Sequence, residues 1–249
     1  CGGDSIEAIE FISKLQSAKV NITAKQFLDN PTIKGILESI SQTSTLIPFH
    51  YSEDLTRLHP VQQWYFEKCS TYAGWFNQSI CLTTTEAISK HDFHFLVSEI
   101  INHHPSLRTR YQKNENGVTG NLVLYPTIES YVAYYDDADS FSLQEIANMH
   151  QQLVCENSGV LAQFVFVKNG EENYLIVIIH HLAVDGISWR ILIDEIIRGF
   201  RSIQLNLKID LHETSSYTQW VDVLYDYSVS EEFFKDKKQL ENDYLPKII

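Results

Sequence analysis

Apolar and polar residues fall into stretches of helical and strand period along this chain. Ile6, Ile9, Phe11, Ile12 and Leu15 make a helical stripe, opened by Asp4 as N-cap with Glu7 three residues on, in the manner of a capping box. Ile22 to Leu28 predicts a short helix, Asn30-Pro31-Thr32 breaks it, and Ile33, Ile36, Leu37 and Ile40 predict another. Small polar residues from Ser41 to Thr45 begin a linker that runs to about residue 52. Beyond it, Pro60 opens a helix, and Trp75 to Leu82 has strand-like aromatic and β-branched content. Phe93, Leu96, Val97, Ile100 and Ile101 form one face of a helix, and Asn114 to Gly117 is a hairpin turn candidate. A helix over Leu143 to Cys155, a strand over Leu161 to Lys168 and a turn at Asn169-Gly170-Glu171-Glu172 follow. Tyr174 to Ile179 is a continuous apolar run of the kind that makes a buried strand, and Trp189 to Phe200 returns to helical spacing. A helix starts near Ser215, and a charged one over Glu231 to Asp243 is expected to lie in solvent.

Between the apolar run and the helix after it stands His180-His181-Leu182-Ala183-Val184-Asp185-Gly186-Ile187-Ser188-Trp189. Strand ends are where α/β folds place their chemistry. Successive strand side chains point to opposite faces, so only one of the two histidines can face a given cleft. That disfavours a shared metal ion and suits one proton-transfer residue beside one packed partner. Two packed core histidines would be the plainer reading of the pair alone, but the Asp-Gly and Ser-Trp that follow make the longer pattern specific.

Composition narrows the field. The chain has 249 residues, 44% hydrophobic, enough for a medium domain and a small one. A net charge of −13 argues against nucleic-acid or anionic-membrane partners, which need a basic face. No apolar run has transmembrane length and no signal peptide opens the chain. Cys1, Cys69, Cys81 and Cys155 have no metal-like spacing and read as reduced thiols of a cytoplasmic protein. The opening Cys1-Gly2-Gly3 and the closing Pro246-Lys247-Ile248-Ile249 read as cuts from a longer protein.

HHLAVDGISW resembles the active-site motif of the condensation and epimerization domains of nonribosomal peptide synthetases. The resemblance implies an α/β (α+β) fold, a chloramphenicol-acetyltransferase-like lobe over residues 53–249, preceded by a truncated helical carrier-protein bundle over residues 1–40. It implies that His181 is the catalytic residue with His180 beside it, that Asp185 organises the loop, and that Gly186 permits the turn. GGDSI, followed by FLDNPTI, is similar to the later part of a peptidyl carrier domain, which implies 4′-phosphopantetheine on Ser5 and a phosphopantetheinyl transferase to attach it. A phosphate there would meet the positive end of a helix dipole.

Three segments lean toward epimerization. Asp4 in GGDS, PVQQWYFE over residues 60–67 and FNQS over residues 76–79 are each similar to epimerization domains rather than condensation domains. SYTQW over residues 216–220 resembles a further segment of the family. His103-His104 invites a metal reading, but no third ligand stands nearby in sequence. HHPSLRTRY instead resembles the family's second shared motif, in which Arg108 is expected to hold the active-site loop electrostatically.

The implied reaction is inversion of the α-carbon of a carrier-bound aminoacyl or peptidyl thioester. Histidine, with an ordinary pKa near ~6.5, can serve as base or acid at neutral pH. The family's other proton-transfer candidate is a glutamate of a second lobe outside this sequence, so the chain alone is expected to be inactive. Adjacent adenylation and condensation domains are the expected neighbours. The alternatives are peptide-bond formation by condensation and a non-catalytic carrier-docking module.

Overall fold

A computed structural model describes residues 8, 11, 12, 15, 20, 22, 27, 30–40, 54–55, 57–69, 76–115, 117–136, 141–170, 172–211 and 217–244. Ser5, Asp4, Glu7 and the linker over 41–52 lie outside the described residues. The chain divides into two compact units, Cys1–Phe49 and His50–Ile249.

In the first unit, α1 (Ile33–Ile40) follows the Asn30-Pro31-Thr32 break. Thr32 Oγ1 accepts from Gly35 N at 3.1 Å, satisfying one of the free amides of the first turn. Ile36 packs with Ile12 and Ile22 in a small core that Leu15 and Phe27 flank.

The second unit is organised on a mixed sheet. Its strands are β2 (Asn77–Thr84), β5 (Val132–Tyr135), β6 (Ala162–Asn169) and β7 (Glu172–His180), in the order β2-β7-β6-β5. β7 pairs antiparallel with β2 and β6, whereas β5 runs parallel to β6. A parallel pair needs a crossover, supplied by α4 (Leu143–Gln151). A second, three-stranded sheet joins β1 (Asp54–Leu55), β3 (Thr109–Asn114) and β4 (Gly117–Leu122). Asn114 pairs with Gly117 across the expected hairpin, where Gly117 adopts φ 123°.

Both faces of the mixed sheet are covered, which explains why β7 reads as an unbroken apolar run. Leu175, Val177 and Ile179 face α3 (Lys90–His103) and α5 (Gly186–Gln204), meeting Phe93, Leu96, Ile100, Leu192 and Ile196. Ile176 and Ile178 face the other way, toward Ile146 of α4 and Val154. Val177, Ile178 and Ile179 are each fully buried, and each such side chain contributes about 1.5–3 kcal/mol.

Two helix boundaries differ from the sequence reading. α4 stops at Gln151 rather than Cys155. The following loop is held by tertiary bonds: Cys155 bridges Val160, and Glu156 O accepts from Tyr111 N at 2.9 Å. α5 begins at Gly186, three residues before Trp189, because Asp185 caps it. Two further helices, α6 (Tyr217–Ser228) and α7 (Glu231–Tyr244), follow, and α7 lies largely in solvent. Cys69, Cys81 and Cys155 are free thiols. No helix among the described residues is long and apolar enough to cross a membrane.

Candidate active site

The site is built where β7 ends and β2 begins. His181 N donates to Phe76 O at 2.8 Å, carrying the ladder one residue past β7. The chain then turns, with Ala183 N donating to His180 O at 2.9 Å. α5 starts immediately afterwards at Asp185. Its carboxylate oxygen Oδ1 accepts from Ile187 N at 3.1 Å, Ser188 N at 2.8 Å and Ser188 Oγ at 2.7 Å. Partial burial raises the Asp185 pKa, but these donors and the nearby His181 outweigh it and leave it below the ordinary value.

The two histidines have separate surroundings. His180 is fully buried. Its Nδ1 accepts from Leu182 N at 3.1 Å, so the ring proton sits on Nε2, which donates to the Tyr65 hydroxyl at 3.4 Å. Desolvation, with a smaller contribution from His181, lowers its pKa to about 4. Burial likewise lifts the Tyr65 phenol to about 12. His180 is therefore a neutral core residue at physiological pH.

His181 is half-buried. Its ring stacks on Phe76, with centroids 5.1 Å apart and an interplanar angle of 26°. A carbonyl can only accept, so the 2.7 Å contact between His181 Nδ1 and Val184 O fixes the ring proton on Nδ1. Nε2 is left with its lone pair, facing the Gln78 amide nitrogen at 3.1 Å. Adjacent histidines are thus held in opposite tautomers.

Helix α2 (Pro60–Lys68) braces the turn from outside. Gln62 donates to Tyr111 Oη at 2.7 Å and to Leu182 O at 3.3 Å, while its own Oε1 accepts from His59 N at 3.2 Å. His59 senses the charge of Asp185, but burial dominates and lowers its pKa. Gln62, Tyr65, Phe76 and Gln78 fall in PVQQWYFE and FNQS, segments that carried a family likeness but no assigned chemistry. Nothing in their local spacing hints that they meet residues more than 100 positions away.

Two expectations change. Gly186 is not in the left-handed region, and a Cβ added there would meet no atom within 4 Å. The turn therefore does not require glycine at this position. Arg108 is put to another use: it donates to Ile101 O at 3.1 Å, Asn102 O at 3.2 Å and Val123 O at 2.6 Å. These include carbonyls left free at the end of α3, so Arg108 caps that helix and ties it to the strand ending at Leu122. The field at Asp185 comes instead from His181 and the α5 amides.

His103 and His104 do acquire a third polar neighbour, from a distance in sequence. Glu195, fully buried on α5, lies 2.6 Å from His104 Nε2, and ligand atoms of the three residues fall within 4.8 Å of one another. These are donor types that can hold a cation, but His104 and Glu195 bond to each other directly. The contact fastens the end of α3 to α5.

Comparison with known proteins agrees with this architecture. The condensation-domain model matches residues 52–241, and the model of a phosphopantetheine attachment site matches residues 1–40. Tyrocidine synthase 1 of Brevibacillus parabrevis is 29% identical over 259 residues, covering 99% of this chain and 24% of that protein. Gramicidin S synthase 1 of Brevibacillus brevis is 30% identical over 270 residues, covering 98% of this chain and 24% of that protein. The chain therefore spans about a quarter of the length of these two relatives. Among solved structures, the epimerization domain from the third module of tyrocidine synthetase B superposes with a TM-score of 0.69 at 23% identity, over 78% of this chain and 45% of that one. The starter condensation domain of rhizomide synthetase superposes with a TM-score of 0.63 at 16% identity, over 77% of this chain and 48% of that one. Both likenesses establish the fold, a chloramphenicol-acetyltransferase-like lobe. The phosphopantetheine attachment segment implies a 4′-phosphopantetheine prosthetic group, whose expected anchor, Ser5, lies outside the described residues. The chain belongs to the condensation-domain family of nonribosomal peptide synthetases, with a phosphopantetheine attachment segment ahead of the domain.

Proposed function

We propose that this domain interconverts the L and D forms of an aminoacyl or peptidyl thioester carried on phosphopantetheine, with His181 as the proton-transfer residue. One observation carries the reading furthest. The segment whose likeness separates epimerization from condensation domains, FNQS, is the one that touches His181: Phe76 stacks on the ring and Gln78 reaches Nε2.

The prosthetic group, when bound, supplies the thioester tether that acidifies the substrate's α-proton. The histidine does the rest on one face. Its Nε2 lone pair takes the α-proton, and the C–H electron pair passes to the substrate's thioester carbonyl. Val184 O strengthens its bond to Nδ1–H as the ring becomes positive. The Asp185 carboxylate lies close enough to stabilise that charge. Return of a proton to the opposite face completes inversion and requires a second group, for which the family points to a glutamate of a second lobe. Ser5 is the proposed attachment point, loaded by a phosphopantetheinyl transferase, with adenylation and condensation domains as neighbours in the parent protein.

The test uses the complete parent synthetase, loaded with an L-aminoacyl group and incubated in D₂O. Uptake of α-deuterium with a mixed D/L product, lost in His181→Ala, is the expected result. Loss of a positioned acid or base costs about 10²–10⁴-fold. Absence of exchange alongside peptide formation with an added acceptor would instead identify a condensation domain. Silence in both assays would leave a carrier-docking role.

A further inference from the structure

The lone pair of His181 Nε2 is not left open. Gln78 faces it at 3.1 Å, and the orientation of the Gln78 amide is itself determined. The Trp189 indole N–H, which can only donate, lies 2.7 Å from Gln78 Oε1. This pins the carbonyl end of the amide on Trp189 and turns its NH₂ end toward His181. Turning the amide over would set an NH₂ group against the indole N–H and lose that bond. All three residues are on one sheet face: Gln78 pairs with Ile179 across the ladder, His181 continues the same side of β7, and Trp189 is on the first turns of α5.

We infer that Gln78 and Trp189 are positioning residues that hold His181 as the neutral Nδ1–H tautomer, its basic nitrogen capped by an amide donor until substrate displaces it. The Val184 carbonyl selects which nitrogen carries the proton. Gln78 adds what the carbonyl cannot: a donor at Nε2 that opposes protonation there, because a protonated Nε2 would face another N–H. The proposal rests on the reading of His181 as the proton-transfer residue. The titratable groups around the ring are His180 next to it, Asp185 at the α5 N-cap and His59, the N-cap of α2, whose charge interacts with Asp185.

The experiment is nitrogen NMR on this chain with labelled histidine, the His181 signals being assigned by their loss in His181→Ala. Wild type is expected to show Nδ1 protonated and Nε2 unprotonated at neutral pH. Gln78→Glu replaces the donor by an acceptor, so both ring nitrogens should carry protons under the same conditions. Trp189→Phe should free the Gln78 amide to turn and broaden or shift the Nε2 signal alone. In the parent protein, Gln78→Glu should lower turnover about 10²-fold, the lower end of what a positioned base contributes, with KM nearly unchanged. Identical Nε2 signals in wild type, Gln78→Glu and Trp189→Phe would overturn the inference, whatever the activity. Full activity in His181→Ala would overturn the underlying functional reading, whatever the spectra.

Discussion

At the scale of single residues, adjacency in sequence is a poor guide to chemical role. His180 and His181 share a peptide bond, yet one is sealed under Tyr65 and the other faces Gln78. This difference has a measurable consequence. A neutral His180 with a pKa of about 4 contrasts with an ordinary histidine near 6.5 in the unfolded chain. The unfolded chain therefore binds the proton first as pH falls. The stabilisation is complete above about pH 6.5 and is lost progressively down to about pH 4, amounting to about 3 kcal/mol. Urea titrations across that window should show this decline, and His180→Asn, which retains an acceptor for Leu182 N, should flatten it. An unchanged slope would mean that His180 is charged in the fold.

The alternation rule was enough to separate the two histidines before any coordinates, since it depends only on strand geometry. It could not name their partners. Tyr65 and Gln78 reach the site from α2 and β2, and no local pattern encodes such pairing.

At the scale of elements, the start of α5 does more than join a strand to a helix. Asp185 satisfies two free amides and the Ser188 hydroxyl, and places its charge near His181. Asp185→Ala should cost about 1 kcal/mol of stability through the lost cap, whereas Asp185→Asn should cost less, because it retains the acceptor. Thermal melts of the two variants separate these outcomes. Gly186 behaves differently. With open space around its absent Cβ, Gly186→Ala should fold at least as well as wild type and could gain up to about 1 kcal/mol. A large loss of stability would show a constraint that the backbone does not reveal.

The strand before Asp185 was visible as a run of Ile and Val, and the helix after it as apolar spacing that begins only at Trp189. The length of α4 was not. Its apolar spacing continues to Cys155, but backbone bonds from Tyr111 and Val160 compete for the chain beyond Gln151 and win.

At the scale of the whole domain, the decisive fact is that the central sheet is buried on both faces. α3 and α5 pack side by side on one of them, and Gly199 of α5 sits against Leu96 of α3. A Cβ there would come within 2.3 Å of Leu96 Cδ1, a side chain that is itself only 1% exposed. Helix propensity alone would favour Gly199→Ala by up to about 1 kcal/mol. Overpacking at this contact should reverse the sign and destabilise by about 1–3 kcal/mol. Denaturant unfolding of Gly199→Ala beside Gly186→Ala tests both glycines at once, and opposite shifts are expected. The same packing brings His104 against Glu195 and lets the end of α3 share one polar bond with the middle of α5.

The order of helices and strands, the buried strand and the helix after it, and the position of the histidine pair follow from the sequence, because period and turn chemistry act over a few residues. The family likeness is also carried there, in HHLAVDGISW. Which histidine is sealed, which nitrogen of His181 holds its proton, that Arg108 braces a helix end, and that Gly199 rather than Gly186 is the constrained glycine were decided by tertiary structure. Each depends on groups from distant parts of the chain meeting at bonding distance, and only the packed sheet and its helices bring them there.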